Sequence, residues 1–453
     1  MVNVIIGILM ILSFIGMIYY CVRGHNLMIG FFVMSTLWVV LVLIGNQFNG
    51  VLGEGSFFEI LKRVAVNVYQ EGPEGYAKSI LVNVFFGAFF GRVLMDTGIA
   101  ATLIRKTVEL GGDRPGVTMV LLCIAASLCF TSMTGIGPVI SIAVIVMPIL
   151  LALGIPSAIA LFAFMGSIMA GILLNITNFQ QYQGIVGGMD DRFLNEYAYG
   201  DYFMFGLIAM VVALVVVLAV ALFLLRKAKA GHAWAASAGR GAQQAPDAPF
   251  YSWISVILPV ILVVAVQCPI ILAFCISALY ALLTCGKMKG GFANVCTMLA
   301  RQFADGAVDV APMVGFLLTL AMFNNAAVFA APYFKSVIGG IFPQSTLLLA
   351  LLFAVLVPLG FFRGPTNLVG CGTAIAAVVL SVNTWAVPFL YPIFSVTTIV
   401  PQHLDITQSW VAWGLGYTKV GTREYMKMSI PTGWVIGAVL CVLAFVLYGG
   451  APV

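Results

Sequence analysis

Charged residues are scarce in this chain of 453 residues, since Asp, Glu, Lys and Arg together make up 8% of it. Its three histidines lie far apart in the sequence, and its nine cysteines include no CxxC pair, which argues against a metal site and a disulfide framework. There is no Walker loop, no HExxH motif and no nucleophile elbow, so ATPase, zinc protease and hydrolase signatures are missing. We therefore expect no enzyme activity, no metal and no cofactor.

The chain is instead rich in apolar residues. The sequence is 62% hydrophobic, with a mean hydropathy of +1.10. Many continuous apolar runs approach or exceed the roughly 20 residues that cross a bilayer as a helix, and they do not alternate as strands of a barrel do. We predict an all-α polytopic membrane protein in contact with lipid. The net charge of +5 lacks a basic stripe, so we expect no nucleic-acid partner.

The apolar segments fall into two sets of seven, joined by a polar stretch rich in Ala, Gly and Gln. We predict repeat one at 1–226, a cytoplasmic linker at 227–249 and repeat two at 250–453. Amphipathic stretches at 52–72 and 290–304 are typical of helices that lie along the membrane interface. The predicted apolar helices are 2–22, 27–47, 80–98, 116–131, 136–153, 155–178 and 202–226, then 250–267, 269–285, 306–326, 344–361, 368–384, 386–404 and 430–448.

Two polar interruptions of apolar runs occur at matching places in the two halves. The first break is FTSMTGIGP at Phe130–Pro138, and the second break is FFRGPTNLV at Phe361–Val369, 231 residues later. The polar stretches ILLNITNFQQ and VPQHLDITQS repeat at a similar spacing. An odd number of crossings in each copy would insert the second copy upside down. Inverted repeats with re-entrant or broken helices, meeting at a substrate site, are typical of secondary transporters.

Lysine and arginine predict the orientation of the chain. With the linker placed in the cytoplasm, 14 of the 21 basic residues fall on the same side and five on the other. Because cytoplasmic loops carry the excess of Lys and Arg, this bias favours that orientation over its reverse. We expect a protein of the cytoplasmic membrane with both termini outside.

Arg363 is the most unusual polar residue, because it follows a long apolar run. A charge at mid-bilayer costs about 2.5–3.5 kcal/mol on insertion scales, so it needs a reason to be there. One reason is a structural one, in which the arginine reaches an interface or pairs with a carboxylate. The other is binding of a substrate carboxylate, which the guanidinium fork matches.

The two breaks offer neutral hydrogen-bond donors beside this charge. Gly135 and other glycines weaken the helix there, and freed backbone N–H groups can face an anion. The alternative is a packing kink whose hydroxyls bond back to their own helix. The candidate substrate-binding residues, beside Arg363, are Thr131, Ser132, Thr134, Gly135, Asn175, Thr366 and Asn367.

Three titratable residues are candidates for coupling transport to protons. His403 and Asp405 lie in the polar stretch that follows a late apolar segment, although such a stretch is also typical of a helix end at the headgroups. Asp96 is the third candidate. Arg92 lies four residues before it, so an i,i+4 ion pair on one helix is an equally good interpretation.

Three segments resemble the ion transporter superfamily, most closely its gluconate permease and citrate–proton symporter branches. They are Gly91–Gly116, the first break, and Leu404–Pro431, in which Asp405, Ser409 and Trp410 match the closing pattern of the gluconate permeases. The resemblance implies an organic-anion carrier with inverted repeats and a scaffold that forms a homodimer. The Ser-Asn-Thr signature of the sodium–dicarboxylate branch is not kept in either break, which favours protons over sodium as the coupling ion.

We therefore expect a secondary active transporter that imports a small organic carboxylate by proton symport. A cation–proton antiporter is the main alternative, since it too needs acidic and hydroxyl residues inside the membrane. A non-transporting subunit of a larger complex is a second alternative. The sequence identifies neither the carboxylate nor the oligomeric state.

Overall fold

The computed structural model describes residues 2–452 except 24, 113, 229–246, 339, 341 and 371. Within these residues the regular structure is entirely helical, as the apolar runs predict. The helices of the first half are α1 (Val2–Val22), α2 (Leu27–Asn49), α3 (Phe57–Val66), α4 (Gly72–Tyr76), α5 (Val82–Asp96), α6 (Ile99–Gly111), α7 (Pro115–Phe130), α8 (Ile136–Ala152), α9 (Ser157–Ile172), α10 (Ile176–Gly187), α11 (Arg192–Asn195) and α12 (Tyr199–Lys227).

The second half repeats the order of the first, beginning with a 3-10 turn at Phe250–Val256. A further 3-10 turn at Val357–Arg363 extends α16. The helices of the second half are α13 (Leu258–Val266), α14 (Ile270–Thr284), α15 (Phe292–Ile338), α16 (Thr346–Leu356), α17 (Gly372–Val382), α18 (Val387–His403), α19 (Ser409–Thr418) and α20 (Thr422–Tyr448).

The two amphipathic stretches are not separate interfacial helices, which corrects the prediction. Two π-helical turns, Asn67–Glu71 and Ala77–Leu81, join α3, α4 and α5 into one helical run over 57–96. The second stretch begins α15, which continues for 47 residues. At ~1.5 Å per residue α15 is about 70 Å long, more than twice the thickness of a bilayer core. We call these two runs the arm helices.

The arm helices run antiparallel where they meet. Arg92 contacts Asp309, whereas Asp96, one turn later, contacts Gln302, which lies earlier in α15. Gly306 permits the close approach, because a β-carbon there would collide with the backbone between Ala88 and Phe89. Corresponding elements of the two halves therefore point in opposite directions, as an inverted repeat requires.

Each break joins two short apolar helices. Helices α7 and α8 have 16 and 17 residues, and α17 has only 11, fewer than the roughly 20 that cross a bilayer. The α7–α8 pair packs against itself and against α9. Short paired helices with a polar tip are typical of re-entrant hairpins. We call α7–α8 hairpin one and α16–α17 hairpin two; in hairpin two, α16 and its 3-10 turn together have 18 residues, enough to cross a membrane.

An interrupted helix pair follows each hairpin: α9–α10 after hairpin one, and α18–α19, which is interrupted at 404–408, after hairpin two. We call these two the bent pairs. The predicted helix 155–178 is in fact α9 and α10, which meet at 65°. Three tyrosine hydroxyls donate to carbonyls around this bend: Tyr202 to Leu173 at 2.7 Å, Tyr199 to Leu174 at 2.6 Å, and Tyr391 of α18 to Phe179 at 2.8 Å. The Leu173 and Leu174 carbonyls lie in the interruption and lack helical partners, so side chains satisfy them, which stabilises the interruption.

The predicted single helix at 250–267 is also interrupted, at Ile257, between the 3-10 turn and α13. Most of the predicted linker lies outside the described residues, but its end does not. Asp247 pairs with Arg105 at 2.6 Å, and the Ala248 amide donates to Thr102. These contacts hold the start of repeat two on α6 of repeat one.

Five helical stretches in the described residues are long and apolar enough to cross a membrane, or up to seven if α5–α6 and α9–α10 each count as one span. Large apolar side chains remain exposed along α1, α2, α12 and α20, where lipid would cover them. The chain is therefore an all-α, multi-pass membrane protein.

Candidate functional site

The first break ends α7 at Phe130 and starts α8 at Ile136. Gly135 has φ of +94°, a conformation that residues with a β-carbon rarely adopt, so glycine is needed to turn the chain here. Asn175, which caps α10, donates from Nδ2 to the carbonyls of Phe130 and Met133 at 2.9 and 3.0 Å. The bend of α9–α10 thereby holds the tip of hairpin one.

The second break is more strained. Phe362 and Arg363 both have left-handed backbone angles, with φ of 57° and 58°, and neither is glycine. Such a conformation costs roughly 1–2 kcal/mol per residue and persists where neighbouring contacts impose it. Asp405 supplies such a contact, because its carboxylate accepts a short hydrogen bond from the Phe362 amide and two more from Thr407. Thr398 accepts from the Leu368 amide at 2.9 Å.

Asn175 and Asp405 thus hold corresponding positions in the two halves. Each follows the first helix of a bent pair, and each hydrogen-bonds the hairpin tip of its own half. Because a buried backbone group without a partner costs about 1–3 kcal/mol, these side chains fix the shape of the two tips.

Both breaks open onto one cavity of about 620 Å³. Its wall comes from both hairpin tips, from both bent pairs, from α15 and from the start of α2. The lining residues are Asn26, Leu27, Met28, Thr134, Gly135, Ile136, Asn178, Gln181, Asp309, Val310, Ala311, Gly315, Phe316, Arg363, Val369, Gln402, His403, Thr407, Gln408, Ser409 and Trp410. The cavity is large enough for a small organic molecule.

Arg363 lies on the cavity wall and is only 5% exposed. Its Nη2 donates to Gln408 Oε1 at 2.6 Å, and its guanidinium carbon lies 5.9 Å from the centre of the Phe316 ring. The left-handed backbone at Arg363 directs this side chain from the second break toward the bent pair α18–α19. A buried guanidinium beside an open cavity is suited to a carboxylate.

Several other polar atoms of the cavity wall are buried without a hydrogen-bond partner among the described residues. They are Asn178 Oδ1, Gln402 Oε1, His403 Nε2 and Trp410 Nε1. His403 Nδ1 lies 2.8 Å from the Ile399 carbonyl, which can only accept, so Nδ1 carries the proton and Nε2 of the neutral ring is an acceptor. Buried polar atoms are normally paired, so this group of four is what a bound polar ligand would satisfy.

The predicted site residues divide between the cavity and its supports. Arg363, Thr134, Gly135 and His403 line the cavity. The others bond to backbone: Thr131 to Leu128, Ser132 to Val256, Thr366 to Leu356, Asn367 to Gly360 and Asn175 as described. Their role in substrate binding stays a prediction. In this conformation their hydrogen bonds to backbone carbonyls support the hairpin tips.

The predicted Arg92–Asp96 pair is wrong. Arg92 instead makes a two-pronged pair with Asp309, from Nε at 2.5 Å and Nη2 at 2.6 Å. Asp96 accepts from Gln302 Nε2 at 3.1 Å and lies away from the cavity. The crossing of the arm helices brings Asp309 closer to Arg92 than its neighbour one turn away, and no sequence spacing encodes that crossing.

Asp309 and Phe316 are cavity residues that the sequence did not single out. A signal was present for Asp309, because its segment DGAVDVAPMVG corresponds to EGYAKSILVNV of repeat one yet carries a second acidic residue inside an apolar run. Phe316 gave none, since one aromatic among many in an apolar helix is usually a packing residue.

Comparison with known proteins supports the fold. No protein family model matches the chain, and no curated protein matches it either. Among solved structures, the YdaH transporter of Alcanivorax borkumensis, described as having an unusual topology, is similar with a TM-score of 0.64. The match covers 93% of this chain and 99% of that one at 12% sequence identity, a level at which it concerns the fold. The gluconate and citrate branches remain a prediction, and the chain is a multi-pass membrane protein with the fold of a solved transporter.

Proposed function

We propose that the protein is a secondary active transporter that imports a small organic carboxylate together with protons. The observation that carries the proposal is the cavity in which both breaks meet, with the Arg363 guanidinium on its wall. The carboxylate would bind Arg363, with Thr134 as a neutral donor nearby. The transporter fold of the similar solved structure supports transport as such.

The proton site is proposed among the titratable residues beside the cavity. His403 is on the wall, and its Nε2 has no hydrogen-bond partner among the described residues, so this nitrogen is free to take up a proton when a substrate enters. Asp405 lies two residues away and supports the second break. Asp96 is at a distance, behind the contact of the arm helices, which favours His403 and Asp405 over it.

Alternating access would come from movement of the hairpins and bent pairs against the arm helices. The cavity wall includes Asn26 and Met28, which are exposed at the start of α2. That end of α2 follows Arg23, on the side that the basic residues assign to the cytoplasm. We infer that this conformation is open toward the cytoplasm and ready to release its substrate.

A cation–proton antiporter fits the cavity less well. Asp309 is the one acidic residue on the wall within the described part of the chain, and Arg92 already pairs with it. Arg363 would repel a metal cation. Dye-quench assays with sodium and potassium gradients separate the two functions.

Uptake into proteoliposomes of the purified chain tests the proposal. With the pH low outside, we expect uptake of at least one of labelled gluconate, lactate, citrate and succinate, at a rate that a protonophore lowers. A saturating substrate should also raise the apparent melting temperature, because ligand at 100 times its dissociation constant stabilises by about 2.7 kcal/mol. Failure of every carboxylate in both assays, with protein that is folded, would contradict the proposal.

A further inference from the structure

We propose that the Asp309 carboxylate fills a second anion site in the cavity and so restricts the carrier to monocarboxylates. This inference rests on the proposed function and adds the class of anion that the cavity accepts. Three observations support it: the partner of Asp309, the helix α8 that begins against it, and its separation from Arg363 along α15.

The partner is Arg92, whose two-pronged contact matches a carboxylate. Asp309 is on the cavity wall and its side chain is 9% exposed, whereas Arg92 lies behind it on α5. Asp309 therefore stands between the Arg92 charge and the cavity. A substrate carboxylate that reached this end would have to compete with a carboxylate that is covalently part of the chain.

The tip of hairpin one supplies a second attraction for an anion at the same place. A β-carbon at Gly137 would collide with the Asp309 carboxyl group, so this group lies against the first turn of α8. Helix N-termini favour negative charge, since their N–H groups lack intrahelical partners. Arg92 and the start of α8 thus form an anion site, and Asp309 occupies it.

Arg363 and Asp309 lie beside different turns of α15. Arg363 lies over Phe316, seven residues along α15 from Asp309, which is about 10 Å at ~1.5 Å per residue. The wall also presents Asn178 Oδ1 and Gln402 Oε1, two acceptors that suit a neutral donor such as a hydroxyl and oppose a carboxylate. The cavity therefore suits one anionic group, beside Arg363, and uncharged polar groups elsewhere.

Removing the Asp309 charge should expose the second anion site. In Asp309→Asn, we expect the uptake ratio of dicarboxylate to monocarboxylate to rise about tenfold, because a charge-assisted contact to Arg92 becomes available. The double variant Asp309→Asn with Arg92→Gln removes both charges and should return the ratio to its original value. Asp305→Asn is the matched control, since Asp305 is one turn away on α15, outside the cavity wall, and contacts Arg301.

The measurement is uptake of labelled lactate and gluconate against an unlabelled series of unbranched dicarboxylates of increasing length, in proteoliposomes. Wild-type uptake of lactate or gluconate, little inhibited by any dicarboxylate, is the expected result. Wild-type transport of succinate as fast as lactate would overturn the inference and leave the proposed function standing. Absence of all carboxylate uptake overturns both.

Two further outcomes keep the test decisive if Asp309→Asn folds poorly. Arg92→Gln alone leaves a bare carboxylate on the wall, so monocarboxylate uptake should fall about tenfold and recover in the double variant. An unchanged ratio in folded Asp309→Asn, or a raised ratio that persists in the double variant, would show that Arg92 is not the site that Asp309 covers.

Discussion

Arg363→Ala is expected to remove nearly all uptake of the transported carboxylate while the protein still inserts in the membrane. The guanidinium is buried on the cavity wall, so its loss removes the positive charge that faces the substrate. A hydrogen-bonded charge of this kind is worth about 1.5–3 kcal/mol, which corresponds to roughly ten- to 150-fold in affinity. We expect uptake at low substrate concentration to fall about a hundredfold. Initial rates over a range of substrate concentrations measure the change.

Two variants control for structural damage. Arg23→Ala removes an exposed arginine at the end of α1 and should leave uptake unchanged. Arg363→Lys keeps the charge but loses the fork, so it should recover part of the rate at high substrate concentration. Wild-type uptake by Arg363→Ala would remove the anion-binding role of this residue.

Asp405→Ala is expected to inactivate the carrier by a different route. The substitution removes three accepted hydrogen bonds and leaves the Phe362 amide without its partner next to two left-handed residues. A partly buried amide in that state costs about 1–3 kcal/mol, so hairpin two should loosen. We expect a lower apparent melting temperature and little uptake. Asn175→Ala, the corresponding change in hairpin one, should act in the same way.

Asp405→Asn separates support of the tip from proton coupling. The amide keeps one acceptor oxygen for Phe362 but cannot take up a proton at physiological pH. If the role of Asp405 is to support the tip of hairpin two, Asp405→Asn should keep most of the wild-type thermal stability. Its uptake should still rise with an imposed pH gradient. Stable protein that moves the substrate without responding to the gradient would instead assign the coupling proton to Asp405 and remove it from His403.

Much of the fold follows from the sequence, because the bilayer constrains it. Apolar runs separated by polar breaks predicted re-entrant or broken helices at the two breaks, and the order of elements repeats as expected. The interruption between α9 and α10 was not predicted, because the apolar pattern predicts one helix over 155–178. The arm helices were predicted as separate pieces. Each arm helix begins with an amphipathic stretch and becomes apolar further along, which suggests two separate elements. The helical hydrogen bonding nevertheless continues across this change, through two π turns in the first arm. Hydropathy indicates whether a helical segment lies in lipid or in water, and it does not locate the residues at which the helix begins and ends.

The site was predicted less completely. Arg363 was found because a charge in an apolar run is costly, and the cavity meets both breaks as an inverted repeat requires. Thr131, Ser132 and Asn367 are polar residues of the breaks, as Thr134 is, yet they bond to backbone carbonyls. Thr131 and Asn367 bond within their own hairpins, and Ser132 bonds Val256 in the second half. Which hydroxyl or amide faces the cavity depends on the backbone conformation of the breaks, where a few residues have left-handed angles. Arg92 and Asp309 meet across 217 positions, and only the packing of the arm helices brings them together.

Accessibility of Ser409 from the two sides of the membrane is the decisive measurement of alternating access to the cavity. Ser409 is exposed on the cavity wall, so a cysteine there, in a chain whose nine native cysteines are replaced, reports on the cavity. We expect an impermeant thiol reagent to modify Ser409→Cys from either side of the membrane, and we expect the transported carboxylate to slow both reactions. Modification from one side alone, at a rate that saturating substrate leaves unchanged, would contradict alternating access to this cavity.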